Sequence, residues 1–407
     1  MSNLISGIEF IVGIPSYMEA DTISSVTKQV DLGLTKYFGN LRSIIVNVDN
    51  NSEDDTKGAF LSTETEIPKH YITTPKGVRG KGNNILNLLK FAKKNSDRLK
   101  GVVIVDADLR SITPEWIKYL GKPILEGYDY ALPVYSRHQF DGTITNHLCY
   151  PLFYGLLGVD FRQPIGGEFS FSPALMNYWL EQKWDFPTRQ YGIDVFMTLH
   201  AIFGKFKICE TGLGTKIHKA SAPKLGPMFT QVITTLFNIL LSRESSWIGI
   251  PVTKPKPKKR FGLQELGLPQ ELKIDIRKLK EKLRKEYYPR EKLLERILSD
   301  YANTKLREMF EHDMYNIDIL MWTQVVYQLL FSYKNGHTKA KKDIVEAMKP
   351  LYFTRSVTFD YETWRYSPKY VEEAILEQAK AFASQKPYYL GLRANEEKNK
   401  EMKANIN

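Results

Sequence analysis

Cysteine is nearly absent. Only Cys149 and Cys209 occur in 407 residues, and neither has a second cysteine at a zinc-like or redox spacing. That excludes a disulfide scaffold and reads both as small core residues of a reduced compartment. Long apolar runs are lacking as well. The longest, Val232 to Leu241 (VITTLFNILL), is interrupted by threonines and an asparagine and falls short of the ~18 residues expected of a membrane span, so no transmembrane segment is expected. The opening MSNLISGIEFIVGIP has neither a basic leader nor a small-residue cleavage pattern; it reads as a first strand, and the expected location is cytoplasmic. No internal repeat and no long low-complexity tract is present.

What is present is enough apolar material for two cores: 43% hydrophobic and 12% aromatic residues in a chain too long for one ordinary domain. The formal charge of +11 suits nucleic acid, an anionic surface or a phosphorylated substrate. No aromatic–basic interleaving accompanies it, so no nucleic-acid partner is expected.

From Phe10 to about Ser221, short β-branched runs alternate with amphipathic stretches, the rhythm of an α/β fold with a largely parallel sheet. Strands are expected at Glu9 to Ile14, Ser43 to Val48, Lys69 to Ile72, Val102 to Val105 and Tyr130 to Pro133. The clearest of them run into polar residues: PSYMEAD, DNNSEDDT and DADLRS. In an open α/β sheet, ligands bind at that carboxyl edge. The Pro-interrupted basic run KPKPKKR, 254 to 260, cannot continue a helix or a central strand. The expected organisation is therefore an α/β catalytic domain over 1–253, a basic linker over 254–267 and an α-helical domain over 268–407.

The sharpest local signal is VVIVDADLRS. Strand geometry sends residues i and i+2 to one side, so Asp106 and Asp108 can converge on one hard divalent cation, Mg²⁺ or Mn²⁺, that bridges to a diphosphate. Arg79-Gly80-Lys81-Gly82-Asn83-Asn84 puts a lysine between glycines ahead of a helix, where anionic oxygens can approach. It lacks the Walker A spacing.

Pro-x-x-x-Glu after the first strand, an Asp-rich turn, Gly-Lys-Gly, Asp-x-Asp, Gln163-Pro164-Ile165-Gly166-Gly167-Glu168, Tyr191-Gly192-Ile193-Asp194 and Lys216-Ile217-His218 follow in that order. Together they resemble the GT-A type glycosyltransferases that make mannosylglycerate or glucosyl-3-phosphoglycerate. The tail, with Tyr315 to Tyr333 and Tyr352-Phe353-Thr354-Arg355, is similar to that of mannosylglycerate synthase. The resemblance implies a GT-A (nucleotide-diphospho-sugar transferase, Rossmann-like) domain with a helical C-terminal domain. It also implies a retaining, metal-dependent hexosyl transfer from a UDP-glucose or GDP-mannose type donor to 3-phosphoglycerate or D-glycerate, and it allows a homodimer.

By the same resemblance, Pro15, Ser16, Tyr17, Glu19, Asp49 and Asn50 line the donor pocket with Ala107, Gly166 and Gly167, and Lys81 reaches the base or its sugar. Asp106, Asp108 and His218 surround the cation. Glu168 and Asp194 hold hydroxyls of the transferred sugar, Asp194 also facing the acceptor. Gly142, Thr143, Ile144 and Thr145 form the acceptor loop, with Arg137 and Lys216 as cations beside it. Tyr17 stands where mannosylglycerate synthase has a lysine, and Thr143 where the mycobacterial phosphoglycerate enzymes have an arginine, which leaves donor and acceptor open. An enzyme that extends an already glycosylated glycerate, a nucleotidyltransferase and a non-catalytic nucleotide-sugar-binding scaffold are the alternatives. The second would carry its Gly-rich loop after the first strand, where PSYMEAD stands instead.

Overall fold

The computed structural model describes residues 7–95, 97–219 and 225–404, apart from 252, 253, 256, 257 and 273–275. The first six residues of the chain and residues 256 and 257 of the expected linker lie outside the described residues. Strands form where β-branched residues run together: β1 (Phe10–Ser16), β2 (Ser43–Asp49), β3 (Lys69–Thr73), β4 (Gly101–Ile104) and β5 (Tyr130–Ser136). These are the five expected strands. Three more were not read from the sequence: β6 (Phe169–Phe171), β7 (Ile208–Thr215) and β8 (Arg260–Gly262).

The strands make one eight-stranded sheet in the order β3-β2-β1-β4-β6-β5-β7-β8. All neighbours are parallel except β6, which runs antiparallel to β4 and β5. The sheet is therefore mixed, and β1 pairs with β2 on one side and β4 on the other. Chain order reverses there, which opens a crevice at the carboxyl ends. Behind the crevice, Phe10, Val12, Ile14, Val103, Val105, Trp116 and Ile117 pack into one core. Gly121 is required in that core because a Cβ there would sit 2.7 Å from Phe38 and 2.8 Å from Phe10.

The expected linker contains part of the sheet. β8 pairs parallel with β7, Arg260 lies 3.5 Å from Glu210, and the Phe261 ring meets Tyr128 edge-on at 5.3 Å. The basic run read as a linker thus ends in a short strand whose Arg260 has a partner.

The chain divides into two compact units, neither of them continuous in sequence. The sheet unit takes residues up to 137, 161–236 and 258–270; the helical unit takes 138–160, 237–257 and 271 onward. In the helical unit, Asp318 and His337 cap their helices by accepting from Met321 N (2.8 Å) and Ala340 N (3.0 Å). The helix Tyr150–Leu157 is buried along its whole length. Within the same unit Lys386 donates to the carbonyls of Leu156, Trp247 and Ile250 at 3.1, 2.7 and 2.8 Å, which satisfies orphan carbonyls at helix ends.

One described helix, Leu225–Ser242, is long and apolar enough to cross a membrane by length and composition. The apolar run counted from sequence began only at Val232, and the helix extends it by a further two turns. Phe229, Ile233, Leu236, Phe237 and Leu240 have no exposed surface, and 44% of the helix is buried.

Candidate active site

The strand-edge positions of the sheet unit gather the motifs. After β1, Ser16 donates to Asp49 Oδ1 (2.9 Å) and receives from Asn47 Nδ2 (2.8 Å). Asp49 also accepts from Ser52 N (2.7 Å), Ser52 Oγ (2.6 Å) and Tyr71 OH (3.0 Å). It is buried and fully engaged, so it shapes the turn. Asn50 is held by its backbone to Ser16 O at 3.0 Å, and its buried side-chain oxygen has no hydrogen-bond partner among the described residues. Pro15 completes β1 beside Val48. The Tyr17 ring carries the Arg79 guanidinium 4.8 Å from its centre. Glu19 accepts from Lys219 Nζ at 2.7 Å; burial raises its carboxyl pKa against that partner, and the Asp108 charge adds to the rise.

Lys81 stands at the start of the helix Lys81–Asn95. Gly82 is needed there because a Cβ would meet Thr188 O at 2.1 Å. That close approach, with Gly82 N donating to Gln190 O, brings the Tyr191–Asp194 segment against the lysine loop. Lys81 Nζ lies 2.8 Å from Asp106 Oδ1 and 3.6 Å from Asp194 Oδ1, and it donates to Gly167 O at 3.2 Å. Burial alone would lower the lysine's pKa; Asp106, Asp194 and Glu168 outweigh it and push it up. Asp106 in turn is held below the usual carboxylate range, with burial opposed by Lys81 and Lys216.

Lys216 Nζ donates to Gly166 O (3.0 Å) and to both oxygens of Glu168 (2.9 and 2.7 Å), and lies 3.8 Å from Asp106 Oδ2. Tyr135 OH donates to Glu168 as well. Glu168 has no exposed surface, and its carboxylate oxygens are occupied by groups of this chain, so its direct effect is on Lys216. Asp106, Asp194 and Lys81 keep 23%, 16% and 15% of their side-chain surface exposed and are the charged groups of the cluster that a ligand can meet. Gly167, at φ +103°, has no room for a side chain: a Cβ would come within 2.8 Å of Asp106 and 3.0 Å of Lys216 Nζ. A Cβ on Gly166 would strike Pro133 at 2.3 Å. Arg137 donates to Gly166 O at 3.2 Å and lies over the Tyr135 ring.

β4 ends at Ile104, so Asp106–Asp108 lies beyond the strand and not in it as expected; Ala107 is buried while Asp106 and Asp108 are partly exposed. His218 reaches the same place through an antiparallel bridge to Leu109, reinforced by Arg110 N donating to Ile217 O at 2.8 Å. Among the described residues, no group of three or more His, Cys, Asp or Glu side chains converges to hold a metal ion. The expected set Asp106, Asp108 and His218 is therefore not assembled, because Asp106 is turned to Lys81. Asp108 and His218 lie on backbone segments joined by the Leu109–His218 bridge.

Gly142, Thr143, Ile144 and Thr145 belong to the helical unit. Gly142 has φ +66°, and Thr143 shares a hydrogen bond with the Tyr352 hydroxyl. Tyr135 was not singled out from sequence. A buried aromatic at a strand end reads as core, and only its place after PSYMEAD, DNNSEDDT and DADLRS on the same edge pointed to it.

Residues 11–178 match the family model described as Glycosyl transferase family 2. This segment is a glycosyltransferase family 2 domain. The family 2 domain takes in Ser16, Asp49, Lys81, Asp106 and Glu168, while Asp194, Lys216 and His218 lie beyond it. Its mixed sheet, followed by helices, is the expected GT-A arrangement. No curated protein matches the chain. Among solved structures, glucosyl-3-phosphoglycerate synthase from Mycobacterium tuberculosis is similar. In complex with Mn²⁺, uridine diphosphate and phosphoglyceric acid it is 22% identical, with 58% of this chain and 80% of that chain covered and a TM-score of 0.44. In complex with Mg²⁺ and uridine diphosphate the values are 24%, 59%, 83% and 0.45. A structure named only as a mycobacterial protein gives 25%, 58%, 76% and 0.45.

Proposed function

We propose that this chain is a retaining hexosyltransferase that moves glucose or mannose from a nucleoside-diphosphate sugar to a small three-carbon acid, D-glycerate or 3-phosphoglycerate. The observation that carries the reading is the cluster Lys81–Asp106–Lys216–Glu168–Asp194 at the carboxyl edge of the sheet, centred on a family 2 domain.

Sugar transfer separates charge: a diphosphate gains negative charge as the anomeric carbon loses it. Lys81, fixed by Asp106, offers a cation to the departing diphosphate or its nucleoside. Asp108 and His218 would hold a divalent cation, which would supply counter-charge to the diphosphate without proton transfer. Asp194 Oδ1 is buried, with Lys81 Nζ 3.6 Å away and no hydrogen-bond partner among the described residues, and it is placed to accept from a sugar or acceptor hydroxyl and to orient it. Attack from the face that the leaving group vacates then retains configuration.

The test is a donor-by-acceptor matrix with Mg²⁺ and Mn²⁺, read by mass spectrometry. The expected product is a hexosylated glycerate or phosphoglycerate, and prior metal stripping with excess EDTA abolishes it. Full activity in EDTA would remove the metal from the reading. A glycosylated carboxylate trapped on the protein would replace front-face attack by a covalent route.

A further inference from the structure

A second cleft, of about 310 Å³, opens in the sheet unit between the start of the helix Pro114–Leu125, the end of β7 and the chain that leaves β8. The glycines of β7 make its outer wall possible. Gly212 has no room for a side chain, since a Cβ would strike Leu263 O at 1.9 Å, and Gly212 O accepts from Leu263 N at 2.9 Å. Thr215 Oγ1 donates to Leu268 O at 2.7 Å, so the residues after the basic run are laid along the end of β7. Inside, the surface is apolar: Trp116 and Leu213 are almost enclosed, Tyr119 is half-buried, and Leu263 is 38% exposed. Three polar groups join them. Ser111 Oγ accepts from Ile217 N at 2.9 Å and keeps its own proton to give; Thr215 Oγ1, having donated, keeps its lone pairs. Glu115 Oε1 accepts from Tyr37 OH at 2.7 Å and from Lys36 Nζ at 3.3 Å. The Tyr37 bond is the largest of the causes that hold the Glu115 carboxyl down at about 2, so this lining group is an ionised acceptor.

We propose that this cleft is a binding site for a neutral pyranose. No lysine or arginine lines it, and the charge of Glu115 is already met by Lys36, so neither a phosphate nor an ammonium finds an unpaired opposite charge there. A wholly apolar ligand would strip water from two hydroxyls and a carboxylate and replace none of the lost hydrogen bonds. A pyranose satisfies both kinds of surface, because its ring has an apolar C–H face while its hydroxyls give and accept. The volume lies at the small end of ligand clefts, about 300–1,000 Å³, which suits one sugar ring and not a nucleotide. None of Lys81, Asp106, Glu168, Asp194 and Lys216 lines the cleft, yet two contacts join it to their cluster. Ser111 holds the amide of Ile217, which stands between Lys216 and His218, and Trp116 packs 5.3 Å from the ring of Tyr135, whose hydroxyl donates to Glu168. A free hexose and the terminal hexose of a longer glycoside offer the same chemistry. The assignment stands on the cleft itself and does not depend on sugar transfer.

The test is saturation-transfer NMR on the full chain, without donor or metal, using glucose and mannose as free sugars and maltose as the glycoside. Leu263→Trp, at a partly exposed wall position, fills the cleft and should abolish the signal at unchanged Tm. Glu115→Gln keeps an oxygen for Tyr37 but loses the charge, and should weaken binding roughly tenfold, the worth of a hydrogen bond to a charged group. Glycerol, with hydroxyls but no ring face, should give no signal. Binding of the monosaccharides identifies the free sugar as occupant, and binding of maltose alone identifies the end of a glycoside; either upholds the cleft as a pyranose site. Failure of all three sugars to bind the wild-type chain would overturn it, as would binding unchanged in folded Leu263→Trp and Glu115→Gln, or glycerol binding as well as the hexoses. Since the readout is binding in the absence of donor, loss of this assignment leaves the transfer reading standing, and a chain that transfers nothing leaves this one.

Discussion

At the residue scale the carboxylates of the cluster do different work, and burial separates them. Glu168 is enclosed with Lys216, and removing one partner of a buried pair leaves the other uncompensated, at a cost of about 3–5 kcal/mol. Glu168→Gln is therefore expected to lower Tm and activity together. Asp108→Ala, in the half-buried turn beyond β4, should abolish transfer with Tm nearly unchanged. Calorimetry beside a transfer assay separates the two, and a large Tm loss in Asp108→Ala would make that carboxylate structural. That Asp106 and Asp108 both escape the core was legible in the Asp-x-Asp pattern; that they lie beyond β4, with Asp106 turned to Lys81, was not. The Glu168–Lys216 pair was not: the two residues are 48 positions apart, and nothing in either motif says that a lysine and a carboxylate consume one another there. Tyr135 was hidden for the opposite reason, since an aromatic in an apolar strand needs no function to explain it.

At the scale of elements, the long helix Thr338–Thr363 carries a buried acid with a pH signature. Burial pushes the Asp360 carboxyl up to about 8, against the pull of Arg355, and its Oδ1 has no hydrogen-bond partner among the described residues. The unfolded value is about 3.9. Between the two the native state holds a proton that the unfolded chain has released, so stability falls as pH rises through that window; it is greatest below the unfolded value and lost above about 8. Asp360→Asn should flatten the profile, giving a higher Tm than wild type at pH ~8 and a shrinking advantage toward pH ~5. Parallel Tm–pH curves for the two proteins would refute the assignment. The sequence showed the five strands rich in β-branched residues and the helical tail. It concealed β6, which has three residues, β7, whose ICETGLGT mixes charge with glycine, and β8, inside a basic run. The π-helix Thr145–Cys149 was equally hidden, because TNHLC followed by YPLFYGLL has the composition of one continuous helix.

At the scale of the whole molecule, the unexpected feature is that the units are threaded through one another in sequence. No change of composition marks residues 138–160, yet they belong with the helices beyond 271. A chain cut after Gln270 would keep every strand but strip the buried helix Tyr150–Leu157 of Pro368–Ser384, whose Val371, Ile375 and Ala379 share a core with Tyr150 and Tyr154. Such a fragment is expected to aggregate, and a soluble, fully active fragment would contradict the division. The same threading imposes a delay during synthesis. Gln378 emerges from the ribosome 232 residues after the Asn146 carbonyl that it must cap, an interval on the order of ten to fifty seconds at ~5–20 residues per second. For that time an apolar helix and an unfinished π-turn hang from the nascent chain, a natural target for a trigger-type chaperone.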